Sequence, residues 1–240
     1  MLLQFTAAMV TNCDIHIPDI ELFSILVTAH IHDVDHPGTN NDFIVKTNSK
    51  YSQMYKESVL ENHHITIGTS VIDGDCNILS KWSSCDVALF RQISRTTILS
   101  TDMKFHGDMV KDLAFRSSST CPFDLSKDED RLSLYRHLIH SADISNPVRP
   151  NKINSVISTY IADEFNKQTV QEKDLGVAVT TWMILLDDIS KAKTELLFLI
   201  NVGQPYWKQL ASCFPNKCLN NLLDNLDKNI QQYQHIINVE

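Results

Sequence analysis

The sequence predicts an all-α, multi-helix fold, and two observations support that prediction. Only six glycines and seven prolines occur in 240 residues, which leaves little material for the tight turns that join antiparallel strands. Long stretches instead repeat apolar residues every three or four positions, as one face of a helix does. Such stripes usually face the core, and two are clear: Leu132, Tyr135, Leu138 and Ile139, then Leu219, Leu222, Leu223, Leu226, Ile230 and Tyr233.

The first element with chemical content is a helix expected from Asp19 through Ile31. It leads directly into the run His32-Asp33-Val34-Asp35-His36-Pro37-Gly38. Pro37 disfavours helical geometry at the residue before it, and Gly38 can supply a left-handed exit. On this reasoning His32 and His36, four positions apart, share one face of the helix end.

The same run is a candidate metal site. A single histidine or aspartate at a helix end is more often a cap or a satisfied polar group. Several ionisable side chains placed directly after the apolar segment 22–27 would be costly to bury without a partner. Imidazole combined with carboxylate suits Zn, Mn or Fe better than Ca, and it is the usual setting for a metal-activated water.

Three further clusters follow along the chain. Taken singly, each is explained by a turn, a helix stop or capped imidazoles. Their combination favours a site, because Asp143 can complete a metal set with His32 and Asp33, and all-α enzymes assemble metal sites from several helices. The clusters are Glu61-Asn62-His63-His64, Ser100-Thr101-Asp102-Met103 and His140 through Pro147.

A loop is expected from Ser117 to Lys127, between two helical halves. The run of serines there leads to Cys121-Pro122, which is a poor helix sequence, and Asp124 or Ser126 can cap the helix that follows. The loop is not a clear domain boundary, and the length fits one domain over residues 1–240.

Composition limits the classes of function. A net charge of -8 and a pI near 5.6 argue against a nucleic-acid partner or an anionic membrane surface. The six cysteines form no CxxC pair and are expected to be reduced thiols in a cytoplasmic protein. Apolar runs fall short of the roughly 20 residues that a membrane span needs, and no signal peptide precedes them.

With these motifs the chain resembles a class I 3',5'-cyclic nucleotide phosphodiesterase catalytic domain, which is a helical HD-type domain. The resemblance runs over roughly the whole chain and weakens after Gly176. It implies hydrolysis of cAMP, cGMP or both to 5'-nucleoside monophosphates, in cyclic nucleotide signalling, by a hydroxide that two divalent metals activate. The matching segments are HDVDHPGTNN (His32 to Asn41), LENHH (Leu60 to His64), STDM (Ser100 to Met103) and HSADISNP (His140 to Pro147).

The resemblance also assigns metal ligands. A tightly held Zn would be bound by His32, Asp33 and Asp143. Asp33 would also bridge to a second metal, Mg or Mn. Waters on that second metal would be held by His36, Glu61 and Thr101, which would orient the nucleophile.

Substrate contacts are assigned in the same way. Asn146 would face the purine, and Ile161 and Phe198 would sandwich it. The family presents a purine-reading Gln three residues before the clamp Phe, whereas this sequence has Glu195 there. An ionised Glu only accepts hydrogen bonds, so recognition of the base is expected to differ.

A second departure concerns the general acid. The family's HNxxHA motif supplies the acid His and another Zn ligand about one helix before the HD pair, and this chain is expected to be incomplete at its N-terminus, where that motif would stand. Glu164, which would orient the acid His, is present. This stretch alone is therefore expected to be a poor catalyst, and regulatory domains outside it are possible.

Two alternative functions remain open from the sequence alone. The first is a catalytically impaired, phosphodiesterase-like scaffold that acts as a binding or interaction module. The second is a metal-dependent nucleotide phosphohydrolase of the wider HD type, which the additional ENHH, TDM and SADISNP matches disfavour.

Overall fold

The computed structural model describes residues 2–13, 15–74 and 76–239. This part of the chain is built from helices and contains no strand, which confirms the all-α prediction. Short 3-10 helices lie at Met103–Phe105, Asn146–Val148 and Thr181–Met183, and a π-helical turn at Leu199–Gly203. The α-helices are α1 (Leu2–Asn12), α2 (Asp19–Ile31), α3 (Asn41–Lys46), α4 (Lys50–Met54), α5 (Val59–Asp73), α6 (Ser84–Leu99), α7 (His106–Ser117), α8 (Asp128–Asp143), α9 (Asn151–Asp174), α10 (Asp188–Phe198), α11 (Gln204–Cys213) and α12 (Lys217–Val239).

Helix α2 has the predicted bounds, but its exit differs from the prediction. The α-helix ends at Ile31, and a turn follows in which Asp35 is left-handed with φ of 60°. Aspartate tolerates that region better than most residues, and His63 holds the Asp35 carboxylate, with Nε2 2.8 Å from Oδ2. The expectation that His32 and His36 share a helix face is therefore wrong, although Gly38 is left-handed as expected, with φ of 73°.

The predicted core stripes and the predicted loop are confirmed. In α8 Tyr135, Leu138 and Ile139 of the predicted stripe are buried and Leu132 is partly buried. In α12 Leu219, Leu226, Ile230 and Tyr233 are buried, and Leu222 and Leu223 are partly buried. Helix α7 ends at Ser117 and α8 begins at Asp128, so the segment between them is the expected loop. Within the described ranges, no helix is both long enough and apolar enough to cross a membrane.

A buried polar contact ties α2 to α8. The Tyr135 hydroxyl and the Arg131 Nε–H both donate to Glu21 Oε2, the latter at 3.0 Å. Glu21 and Tyr135 are both shielded from solvent, so the carboxylate depends on these two donors. The contact fixes the relative position of two helices that each end at candidate metal ligands.

Helix α12 is joined to the short turn after α8. The buried Asn229 side chain donates from Nδ2 to the carbonyls of Pro147 and Arg149, both at 2.9 Å. Asparagine satisfies two otherwise unpaired backbone acceptors in this way. The turn that carries Asn146 is thereby held by the last helix.

A second buried network surrounds Glu172 of α9. Lys46 Nζ lies 2.8 Å from Oε1 of this fully buried carboxylate, and Gln168 Nε2 donates to the same oxygen at 2.8 Å. Thr180 donates from its hydroxyl at 2.9 Å and from its backbone N–H. Burial opposes ionisation, but Lys46 and these donors outweigh it and lower the pKa of Glu172 to about 2. The network holds the segment after α9 against α3.

Three imidazoles form a buried cluster between α7, α8 and α11. His140 Nδ1 donates to the Ser100 carbonyl at 3.0 Å, so its Nε2 accepts from His106 Nδ1, also at 3.0 Å. His137 lies nearby and contacts Asp112 at 3.0 Å through Nε2. Burial, together with the neighbouring imidazoles, lowers the pKa of His140 from 6.5 to about 3.

The first prediction is a loss of stability in mild acid. The unfolded chain takes up a proton at His140 near pH 6.5 while the folded chain does not, so the free energy of unfolding falls as the pH drops below 6.5. For one such imidazole the loss between pH 7.5 and 5.5 is about 1.4 kcal/mol. Urea unfolding of the wild type and His140→Leu should show a flatter pH slope in the variant. An identical slope would contradict the cluster, and His16→Leu, at an exposed position, is the control.

The second prediction concerns the Glu172 network. Lys46→Met leaves a buried carboxylate without its counter-charge and should lower the free energy of unfolding by about 3–5 kcal/mol. The double variant Lys46→Met/Glu172→Leu should recover much of that loss, because no charge is then left unpaired. Thermal and urea unfolding measure both effects, with Lys152→Met on the exposed face of α9 as the control. A loss in Lys46→Met no greater than in the control would rule out a buried ion pair.

Candidate metal centre and adjoining pocket

The ends of α2 and α8 bring three candidate ligands together. One ligand atom each from His32, Asp33 and Asp143 lies within 4.8 Å of the others. His32 Nε2 is 3.3 Å from Asp33 Oδ2 and 3.5 Å from Asp143 Oδ1. These three residues, called the metal cluster below, are the set that the sequence predicts as Zn ligands, and their donor types suit that ion.

The His32 ring is oriented for binding through one nitrogen. Its Nδ1 lies 3.2 Å from the Ala29 carbonyl, which can only accept a hydrogen bond. Nε2 therefore faces the two carboxylates, as in sites where a backbone carbonyl fixes the tautomer of a ligand histidine. Burial disfavours a charge on His32, but Asp143 and Asp33 outweigh it and raise its pKa to about 10. A field that attracts a proton so strongly also attracts a metal cation.

The three residues expected around a second metal come from three separate segments of the chain and differ in exposure. His36 is exposed, and its Nδ1 accepts from the Gly38 N–H at 3.1 Å. Glu61 is buried and accepts from Asn41 Nδ2 at 3.0 and 3.2 Å. Thr101 is buried, and its hydroxyl donates to the Ile98 carbonyl at 2.7 Å.

Two further residues belong to this region and were not assigned roles from the sequence. His64 is buried, with Nδ1 2.8 Å from the Val34 carbonyl and Nε2 3.7 Å from Asp33 Oδ1. Asp102 is buried, and burial, with the charges of Asp102 and Asp33, raises the pKa of Glu61 against the opposing effect of Asn41. The i, i+3 spacing of Glu61 and His64 on α5 is the sequence signal that could have identified His64.

Asn146 connects the metal cluster to the residues expected to bind the base. Together with His32 and Asp143 it lines a pocket of about 280 Å³. Its Nδ2 also donates to Glu195 Oε1 at 3.2 Å and to Ser158 Oγ at 3.2 Å. The structure thus places Asn146 and Glu195, predicted as neighbours in one site, in direct contact.

Glu195 lies on the wall of a second pocket of about 460 Å³ between α9, α10 and α12. This second pocket is called the side pocket below. Ile161 also lines it, whereas Phe198, which is half-buried at the end of α10, does not. Burial raises the pKa of Glu195, and hydrogen bonds from Ser158 and Asn154 oppose the rise. Glu195 is therefore a partly buried pocket residue rather than a solvated one.

Glu164 is a predicted site residue whose side chain has no hydrogen bond to the other predicted site residues. It is exposed on α9 and makes no side-chain hydrogen bond or ion pair within the described residues. Its role as an orienting group remains a prediction.

The chain matches one known protein family over most of its length. Residues 1–226 match the family model of 3'5'-cyclic nucleotide phosphodiesterases. The chain belongs to this family, which confirms the resemblance seen in the motifs and removes the rival of a general HD-type phosphohydrolase. Members of the family generally use divalent metals, and the metal cluster provides suitable ligands.

Particular relatives are similar over most of the chain. The mouse 3',5'-cyclic-AMP phosphodiesterase 4C is 31% identical over 223 residues, which are 90% of this chain and 32% of the mouse protein. A probable 3',5'-cyclic-AMP phosphodiesterase, pde-4 of Caenorhabditis elegans, is 30% identical over 224 residues, with 90% and 33% covered. The chain spans about a third of the length of these two curated relatives.

A solved structure shows the same architecture. The phosphodiesterase domain of the RhoPDE fusion protein from the choanoflagellate Salpingoeca rosetta superposes with a TM-score of 0.94 at 29% identity. The match covers 98% of this chain and 75% of that domain.

The third prediction is that Asp143 contributes to metal affinity. Purified wild-type protein dialysed against a low concentration of Zn should retain the ion, while Asp143→Ala should bind it at least tenfold more weakly, because one of three ligands is lost. Atomic absorption of the dialysed samples measures the content, and Asp174→Ala, an exposed carboxylate at the end of α9, is the control. Equal Zn in the wild type and Asp143→Ala would contradict the cluster.

Proposed function

We propose that this chain hydrolyses 3',5'-cyclic nucleotides to 5'-nucleoside monophosphates with two divalent metals. The observation that carries the proposal is the meeting of His32, Asp33 and Asp143 from separate helices, joined through Asn146 to the side pocket. Family membership and the cyclic-AMP phosphodiesterase names of the relatives support it.

The residues divide the work between two ends of the site. His32, Asp33 and Asp143 would bind Zn, with Asp33 shared with a second ion, Mg or Mn. The ions would supply an acidified water and neutralise charge on the phosphate oxygens. His36, Glu61 and Thr101 would hold waters beside the second ion, and His64 would orient Asp33 from behind.

The residues around the base would discriminate between nucleotides through hydrogen-bond acceptors. Glu195 Oε1 already accepts from two amides, and Ile161 offers an apolar wall to a planar ring. Phe198, three residues after Glu195, stays a prediction for the second face of the base, because it does not line the side pocket. Because the chain is part of a signalling family, a cytoplasmic location and additional regulatory domains fit this function.

Hydrolysis is tested with metal-loaded protein at a concentration comparable to that of the substrate, so that slow turnover is counted. Phosphorus NMR should show a 5'-monophosphate forming from a cyclic nucleotide. Asp33→Asn should reduce the rate by at least a hundredfold, since it removes a ligand that both ions share, and Asp174→Asn should not. If Asp33→Asn hydrolyses the substrate as fast as the wild type does, the metal cluster is not the catalytic site. If the wild type binds nucleotide without turnover, the protein is instead the catalytically impaired scaffold considered above.

The fourth prediction concerns the base. Guanine offers two adjacent donors to a carboxylate at Glu195, whereas adenine offers one donor beside an acceptor nitrogen that would face the charge. A buried mismatch of this kind costs about 1–3 kcal/mol, so kcat/KM should favour the guanine nucleotide, in contrast to the cyclic-AMP names of the relatives. Glu195→Gln should narrow the preference because an amide can turn to suit either base. An unchanged ratio of the two kcat/KM values would remove Glu195 from the site.

A further inference from the structure

A cationic side chain lies in the pocket that borders the metal cluster, and the sequence motifs gave it no role. This pocket of about 280 Å³, called the cluster pocket below, is lined by Arg149 as well as by His32, Asp143 and Asn146. Arg149 directly follows the short helix Asn146–Val148, and its backbone N–H donates to the Asn146 carbonyl at 3.1 Å. One turn of the chain therefore positions both Asn146 and Arg149 beside the metal cluster.

The guanidinium of Arg149 is held from two sides. Its Nε and Nη2 donate to the hydroxyl of the buried Ser145 at 3.3 and 3.0 Å. Its central carbon lies 4.9 Å from the centre of the Phe5 ring on α1, which is within the range of a cation–π contact. These contacts use two of the five guanidinium N–H donors, so the fixed side chain keeps donors for another partner.

Arg149 also differs from Arg116 and Arg131, which are half-buried as well, because it has no carboxylate partner within the described residues. Arg116 and Arg131 each form ion pairs with two carboxylates at 2.9–3.0 Å. Burial lowers the pKa of Arg149, whereas at Arg116 the carboxylates outweigh burial and raise the pKa. Arginine keeps its charge near neutral pH all the same. A half-buried charge without a counter-charge is costly, so Arg149 is suited to receive an anion.

The anion would lie between Arg149 and the metal cluster. Both Arg149 and Asp143 line the cluster pocket, and no hydrogen bond or ion pair joins them within the described part of the chain. A cyclic nucleotide carries one negative charge on its phosphate, and a 5'-monophosphate carries up to two. Guanidinium donors match phosphate oxygens in both geometry and charge. A phosphate in this pocket would therefore meet positive charge on the side away from the cluster as well.

We propose that Arg149 is a phosphate-binding residue of the cluster pocket, which donates to a phosphate oxygen of the bound nucleotide. This inference rests on the proposed function, because it takes a nucleotide phosphate as the occupant of that pocket. Arg149 stays protonated throughout, so its contribution is binding and neutralisation of charge rather than proton transfer. Ser145 and Phe5 contribute indirectly, since they hold the guanidinium in place.

The test compares two ligands that differ by the phosphate alone. Calorimetry with 5'-GMP and with guanosine, in EDTA and again with Zn, measures both affinities for the wild type and for Arg149→Met. The variant keeps an apolar stem beside Phe5 but loses the charge, so its affinity for 5'-GMP should fall about tenfold or more, while its affinity for guanosine stays unchanged. Arg149→Lys keeps the charge and should lose less. Arg95→Met, on the exposed face of α6, is the control and should change neither affinity.

The outcomes separate this inference from the proposed function. The inference is overturned if a folded Arg149→Met keeps its affinity for 5'-GMP under both conditions, or loses as much affinity for guanosine. A wild type that binds 5'-GMP no more tightly than guanosine under either condition also overturns it. Absence of hydrolysis in the wild type counts against the proposed function only, because binding requires no turnover. If Arg149→Met does not fold, Arg149→Gln provides the same comparison, and an unchanged difference between the two ligands there overturns the inference.

Discussion

The site depends on two carboxylates that the fold forces together. Asp33 and Asp143 come from the ends of different helices, and each lies within 3.5 Å of one imidazole nitrogen. Asp33 and Asp143 are both exposed to solvent, so water weakens the repulsion between their carboxylates, and a positive charge among them weakens it further. The Asp33 and Asp143 carboxylates raise the pKa of His32 to about 10, and the same two charges would favour a divalent ion. The clustering of these three candidate ligands is thus a consequence of how α2 meets α8.

The meeting of α2 and α8 is itself maintained away from the cluster. Glu21 is held on α2 by Tyr135 and Arg131 of α8, about three turns of helix before the ligands. The His106–His140 pair then packs α8 against α7, and Lys46 with Glu172 joins α3 to α9. Each contact is a buried polar group with a specific partner, which favours one arrangement of the helices over its near alternatives.

Local patterns were sufficient for much of the fold. The start of α2, the loop after Ser117 and the stripes of α8 and α12 follow from apolar spacing and from proline and serine positions. The left-handed conformation of Asp35 could not be predicted from such local patterns, because it depends on His63 from another helix. The metal cluster was predictable because its residue types are distinctive. The contacts of Glu195 were not, since Asn154 and Tyr233 are ordinary core residues until the chain is folded.

The reach of α12 has a consequence for how this protein can change over evolutionary time. Asn229 donates a hydrogen bond to the turn that carries Asn146. Tyr233, four residues later, donates to the side-chain amide of Asn154, which lies beside Glu195. Helices α2 and α8 supply the metal cluster and share no residue with that arrangement. Substitutions in the last helix therefore alter the pocket around Glu195 without changing any residue of the metal cluster, so the two parts of the molecule can vary separately.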